Sequence, residues 1–133
     1  MNNITLVFLV LAAIVSPTRL SAGELAPLTR ELDGTQITYE YTSSRSYNVK
    51  FDEQGVSYRY LTGSKPKTWW GPFPYQAFRV EDGVYFASWF EPGYGDYVTL
   101  LIDFNNRVLY GSAILWGEEV HFHGAKIVEI DRP

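Results

Sequence analysis

Three short runs decide the fold: QITYEY (residues 36–41), SYNVKF (46–51) and GVSYRY (55–60). In the first, Ile37, Tyr39 and Tyr41 alternate with Gln36, Thr38 and Glu40. In the second, Tyr47, Val49 and Phe51 alternate with Asn48 and Lys50, and Val56, Tyr58 and Tyr60 continue the pattern. Side chains two apart on a strand share a face, so this period of two predicts strands with one apolar side. Further along, Val84 to Phe90, Tyr97 to Phe104 and Val108 to Trp116 are apolar at nearly every position, which predicts central strands covered on both faces. The last runs, Val120 to Phe122 and Ala125 to Ile130, read as shorter strands.

Turn signals part these runs. Asp52-Glu53-Gln54-Gly55, Asp82-Gly83, Asn105-Asn106 and Gly117-Glu118 suit tight hairpins, because Gly and Asn tolerate positive φ. Pro66, Pro72 and Pro74 make Thr62 to Pro74 a loop. Residues Glu24 to Leu32 fit one short helix closing an end. Even strand spacing with hairpin turns predicts an all-β, antiparallel up-and-down barrel of about eight or nine strands, in preference to a sandwich. About eight strands leave just enough interior for side chains or one small ligand.

The chain has 133 residues, room for one domain. Residues 1–22 read as a signal peptide, because Ile4 to Val15 is an unbroken apolar run too short to span a bilayer and Ala22 offers a small residue before a cut at Gly23. The expectation is a periplasmic or secreted barrel over 23–133 with no membrane span after cleavage. There is no cysteine, which excludes a lipobox, disulfides, thiolate metal sites and cysteine catalysis. Acidic side chains outnumber basic ones fifteen to eleven, with no basic run, which argues against nucleic acid as a partner. Aromatic residues make up 17% of the chain and ten are tyrosines, a composition that suits a semi-polar cavity or an aromatic surface.

Three clusters could carry chemistry. Tyr39 and Tyr41 project from one strand face with Tyr47 close by in sequence, and paired phenols can grip a carboxylate; they could equally pack a core. Glu91 shares a face with Tyr85, Ala87 and Trp89. Inside a barrel it would be desolvated and suited to acid–base work, whereas at a strand end it would face water. Glu119, His121 and His123 share a face and are weak candidates for a metal, against the plainer reading of polar surface. Trp69 and Trp70 could cap a barrel mouth, stack on a ligand or plug the end. Ser64 and Lys67 match Ser-x-x-Lys, but in a loop without other members of a serine-enzyme site.

In order, Tyr39-Glu40-Tyr41, Tyr47, Tyr58-Arg59-Tyr60, Gly83-Val84-Tyr85-Phe86-Ala87-Ser88-Trp89-Phe90-Glu91-Pro92, Asp96-Tyr97-Val98-Thr99-Leu100 and Leu109-Tyr110-Gly111 resemble the bacterial phenolic acid decarboxylases. They also resemble the MoaF-like proteins, named after a molybdenum-cofactor biosynthesis protein, which share the same calycin-like fold. The resemblance implies a lipocalin-like barrel with its ligand inside. Tyr39, Tyr41, Tyr47, Trp89, Glu91 and Trp69 would contact an aromatic or carboxylate-bearing small molecule, and in an enzyme Tyr39, Tyr41 and Glu91 would be catalytic. It implies no cofactor. The family's catalytic arginine falls near Lys67-Thr68-Trp69, where this chain has none, and Lys67 does not reproduce a planar guanidinium fork. The expectation is therefore a binding module, with a decarboxylase-type lyase or a structural barrel as alternatives. A homodimer is permitted by the short final strands.

Overall fold

The computed structural model describes residues 13–14 and 22–133, so the signal-peptide reading falls almost entirely outside the described residues. Among the described residues the regular structure is all strand: β1 (Gln36–Tyr41), β2 (Ser46–Asp52), β3 (Gly55–Tyr60), β4 (Trp70–Phe73), β5 (Tyr75–Glu81), β6 (Val84–Glu91), β7 (Asp96–Asp103), β8 (Val108–Leu115) and β9 (Glu119–Asp131). All neighbours pair antiparallel in one sheet of order β4-β3-β2-β1-β9-β8-β7-β6-β5. The first and last strands of the chain are thus joined in the middle of the sheet, through pairs such as Ile37 with Ile130.

The sheet's two edges, β4 and β5, are separated in sequence by Pro74 alone. With every neighbour antiparallel, the first and ninth positions of this sheet run the same way. β4 and β5 are therefore two halves of one bent strand, the first paired to β3 and the second to β6. Proline, which has no N–H to give a ladder, sits at the bend. The result is a nearly closed barrel whose seam lies inside a single strand, which leaves little free edge. Gly55 makes the β3–β4 approach possible: a Cβ there would lie 2.3 Å from the carbonyl oxygen of Phe73.

Several expectations are corrected. Residues 24–32 form no helix. They run as an extended strap that bridges Leu28 to Phe78, donates from the Thr29 amide to the Ala77 carbonyl at 2.9 Å, and turns so that Leu32 is fully buried. The Arg30 guanidinium ties the strap to the carbonyls of Asp52 and Glu53 at 3.0 and 3.2 Å. The 62–74 segment is not all loop, since β4 lies within it. The two short final runs are one 13-residue strand, β9. At the β7–β8 turn the left-handed residue is Arg107 (φ 55°), while the two asparagines bond through their side chains to Asp82 and Asp103.

The largest correction concerns β6 to β8, which, like β9 beside them, are covered on one face only. Their inward residues, including Ala87, Trp89, Leu100, Ile102 and Leu109, are buried, while Phe86, Phe90, Tyr110 and Phe122 on the other face are exposed. Inside, the two ends of the barrel differ. Leu32, Ile37, Phe51, Ile102 and Leu109 pack one end solid. At the other end the bulk is aromatic and Ala113 narrows nothing, so the interior opens.

Candidate functional site

A cavity of about 360 Å³ occupies the open end, where the β1–β2, β3–β4, β6–β7 and β8–β9 connections cluster. Strand parity delivers its wall. Tyr39 and Tyr41 come from β1, Tyr47 from β2, Tyr58 and Tyr60 from β3, and Trp89 and Glu91 from β6. Five of the six residues read from sequence as ligand contacts, Tyr39, Tyr41, Tyr47, Trp89 and Glu91, therefore lie on one wall. The sixth does not. Trp69 sits on the outer face, with the Lys50 ammonium 4.3 Å and the Arg59 guanidinium 4.8 Å from its ring centre. Its neighbour Trp70, paired across from Tyr58, lines the cavity instead.

Glu91 is only 1% exposed. Its Oε1 accepts from the Trp89 indole N–H at 2.9 Å, and its Oε2 accepts from the Tyr58 hydroxyl at 2.9 Å. Burial pushes its pKa up, partly opposed by these two donors, and Asp96, its ladder partner on β7, adds to the rise. A carboxyl held this way is suited to lend and take a proton. It also offers an acceptor to a ligand's donor group.

A chain of ring contacts runs from there around the wall. Tyr58 meets Tyr60 at 5.9 Å between centroids, Tyr60 meets Tyr47 at 4.9 Å, Tyr47 stacks on Tyr39 at 5.6 Å, and Tyr39 meets Tyr41 edge-on at 5.4 Å. Edge and offset contacts of this kind are the favourable aromatic geometries. Burial raises the pKa of every tyrosine in the set, Tyr41 to about 12 and Tyr39 well above its ordinary value. All of them stay neutral at physiological pH, so they serve as hydroxyl donors and acceptors, not as bases.

Two groups at the far end of this ring chain are not read from sequence as part of a cavity: the sequence does not single out Arg45, and His121 reads only as a weak metal candidate or polar surface. Arg45, in the β1–β2 turn, lines the cavity with Tyr47, and its positive charge partly opposes the rise that burial gives the Tyr47 pKa. It brings a guanidinium near the tyrosines from a position unlike the one where the resemblance looks for it; the only hint in sequence is its place between two strands bearing Tyr41 and Tyr47. His121 also lines the cavity, its ring 5.1 Å from that of Tyr41. Burial lowers its pKa, helped by His123 and Arg45. The imidazoles of His121 and His123 lie 4.2 Å apart, yet among the described residues no cluster of three or more His, Cys, Asp or Glu is placed to hold a metal ion with Glu119. Ser64 and Lys67 stand in the exposed β3–β4 loop, outside the cavity.

A sequence profile of the MoaF N-terminal domain matches residues 21–114. The chain belongs to this family. Among curated proteins none matches its sequence. This MoaF-family barrel superposes on the crystal structure of a protein from Burkholderia vietnamiensis described as a putative beta-lactamase. The TM-score is 0.63 at 16% identity, covering 72% of this chain and 92% of that one. At that identity the likeness is one of fold.

Proposed function

We propose that this MoaF-family barrel is an exported binding protein that holds one small aromatic molecule in its open end. The observation that carries this reading is the hollow itself: about 360 Å³, walled by aromatic rings, with one buried carboxyl among them. Ligand sites have this volume, this apolar wall and a few placed polar groups. The polar groups fall at separated points. Glu91 and Asp96 on β6 and β7 suit a donor such as a phenol or an amine. Tyr39, Tyr41, Tyr47 and Arg45 on the β1–β2 hairpin suit a carboxylate or another acceptor.

Binding reports itself, because three of the four tryptophans, Trp70, Trp89 and Trp116, line the cavity. Titration of the purified protein with 4-hydroxycinnamic and 4-hydroxyphenylpropionic acids should quench or shift tryptophan emission in a saturable way. No response to either acid, or to the matching amine tyramine, would leave the barrel as a structural module. Export is read separately: mass spectrometry of protein from the periplasm or medium should find a chain starting near Gly23, and an intact cytoplasmic chain would remove that part of the proposal.

A second reading is favoured by Glu91 alone, whose raised pKa beside paired tyrosines suits a cofactor-free lyase. Loss of carbon dioxide from a 4-hydroxycinnamate breaks the bond to the carboxyl carbon, and a proton replaces it on the alkene. Glu91 would deliver that proton, with Tyr39 and Tyr41 orienting the carboxylate. Falling absorbance of p-coumaric acid, abolished by Glu91→Gln, would establish this reading over simple binding.

A further inference from the structure

Lys50 and Arg59 are diagonal neighbours across the β2–β3 ladder, because Lys50 pairs with Ser57 and Arg59 with Asn48. Both point outward, since the alternate residues Val49 and Tyr58 face the interior. Trp69 brings their head groups together, with the ammonium 4.3 Å and the guanidinium 4.8 Å from its ring centre. Like charges this close repel, and the indole offsets only part of that. A carboxylate would restore the balance, yet among the described residues neither cation is in an ion pair. The next acid along β2, Asp52, is turned to the Gln54 and Gly55 amides at 2.9 and 3.2 Å. The side-chain oxygen of Asn48, opposite Arg59, accepts from Gln36.

The Arg59 guanidinium is also half shut away from water. Its Nε is buried without a hydrogen-bond partner, while both Nη nitrogens, equally without a partner, reach the surface. A cation stripped of part of its water, with nothing in return, attracts an anion more strongly than a hydrated one. Lys65 and Lys67, exposed and without ion-pair partners among the described residues, stand in the loop that ends at Trp69. The chain carries a net charge of -4, so this concentration of unpaired cations is a local feature.

We propose that Lys50, Arg59 and Trp69 form a binding site for a phosphate group on the outer wall of β2 and β3, with Lys65 and Lys67 adding to its field. The site is separate from the cavity and owes nothing to a ligand held there. Its chemistry selects a phosphate over a carboxylate. The open Nη edge of the planar guanidinium offers parallel N–H donors to two phosphate oxygens, and the Lys50 ammonium, a point charge from the neighbouring strand, takes a third. Two cations match the charge of about −1.5 to −2 on a phosphomonoester near neutral pH, whereas a carboxylate neutralises only one. The Trp69 ring already holds both head groups, so little side-chain freedom is lost on binding.

Titration with inorganic phosphate at constant ionic strength, followed in nitrogen–proton NMR by the Arg59 Nε–H and Trp69 indole N–H, tests the site. Both signals should shift saturably. Read on the Trp69 indole, Arg59→Lys, which keeps the charge and loses the fork, and Lys50→Gln should each weaken binding roughly fivefold or more. Lys126→Gln, on β9, should leave it unchanged, and far-UV circular dichroism should match wild type for all three. A second arm separates the sources of the group, with phosphatidylcholine vesicles made with and without phosphatidic acid. Saturable binding of inorganic phosphate marks a soluble phosphate; binding confined to phosphatidic acid vesicles and weakened by Arg59→Lys marks a lipid headgroup. Either result supports the site. No response to either probe, an equal response to acetate, or binding indifferent to both substitutions overturns it.

Discussion

Tyr58 and Glu91, 33 residues apart in sequence, meet through a 2.9 Å hydrogen bond that joins β3 to β6 across the open end of the barrel. The carboxylate accepts from Trp89 on its other oxygen, so both of its neighbours are donors. An amide in its place keeps the acceptor for the Trp89 indole and turns an N–H₂ towards Tyr58, whose hydroxyl can accept from it only by turning its own proton away from this partner. Glu91→Gln should therefore destabilise the fold by about 1–3 kcal/mol, the cost of one buried group left unpaired. Urea unfolding of the two proteins at neutral pH measures it, and equal midpoints and slopes would show that the bond holds nothing.

The same carboxyl sets a pH dependence. Its pKa is raised by burial, so the folded protein keeps its proton where the unfolded chain has lost it. The stabilisation is full below the ordinary carboxyl range and is lost as pH climbs through the raised value. The stability of wild type relative to Glu91→Gln should decline with rising pH across that window. Urea midpoints for both proteins at a series of pH values from 4 upward check the sign; a relative increase would mean that the two donors outweigh burial.

His121 behaves in the opposite sense. Its pKa is lowered by burial first, then by the neighbouring His123 and Arg45. Folding favours the neutral ring, and that contribution is present above the usual histidine value and fades as pH falls through the lowered one. The chain has only two histidines, so proton NMR resolves both titrations. His121 should titrate below 6.5, and His123→Gln should move it upward by removing one like charge.

The adjacent tryptophans should separate by role. Trp69→Ala removes the ring that Lys50 and Arg59 cover on the outside, a loss of about 0.5–1 kcal/mol for each exposed cation–π contact, with ligand affinity unchanged. Trp70→Ala opens the cavity wall and should weaken binding of the aromatic acids several-fold. Paired fluorescence titrations decide it, and equal effects of the two substitutions on affinity would contradict the placement of Trp69.

Much of this was legible in the residues. Alternation alone puts Tyr39 and Tyr41 on one face and Glu91 on the face of Tyr85, Ala87 and Trp89, because parity is a property of a single strand. It leaves open whether Glu91 meets the interior or water. What escaped was set by parts of the chain far apart in sequence. Tyr58 could be recognised as a partner of Glu91 only once β3 and β6 were brought across the barrel. Trp69 and Trp70 are neighbours with opposite destinations, fixed by where β4 joins β3. Apolar residues on both faces of β6 to β8 implied double burial, but among the described residues no second layer covers their outer face. The Asn105-Asn106 turn was placed correctly while its strained residue, Arg107, was not, since side-chain bonds from the asparagines hold the turn in their own way.

Gly111 controls how far Tyr41 reaches into the cavity. It lies on β8 with ordinary backbone angles, so alanine is tolerated locally, but a Cβ there would stand 2.9 Å from the Tyr41 hydroxyl and 3.2 Å from Leu100 Cδ2. Leu100 is buried and Tyr41 is a rigid ring packed on Tyr39, Tyr47 and His121, so neither gives way without cost. Gly111→Ala should therefore displace the Tyr41 hydroxyl, cost about 1–3 kcal/mol as overpacking does, and lower affinity for carboxylate-bearing ligands more than for tyramine. Thermal unfolding and the two titrations together test this. The companion variant Tyr41→Phe removes the hydroxyl and with it the closest clash, so in that background the alanine should be far less costly. If it is not, the strain lies at Leu100 and Tyr41 is not the residue that Gly111 accommodates.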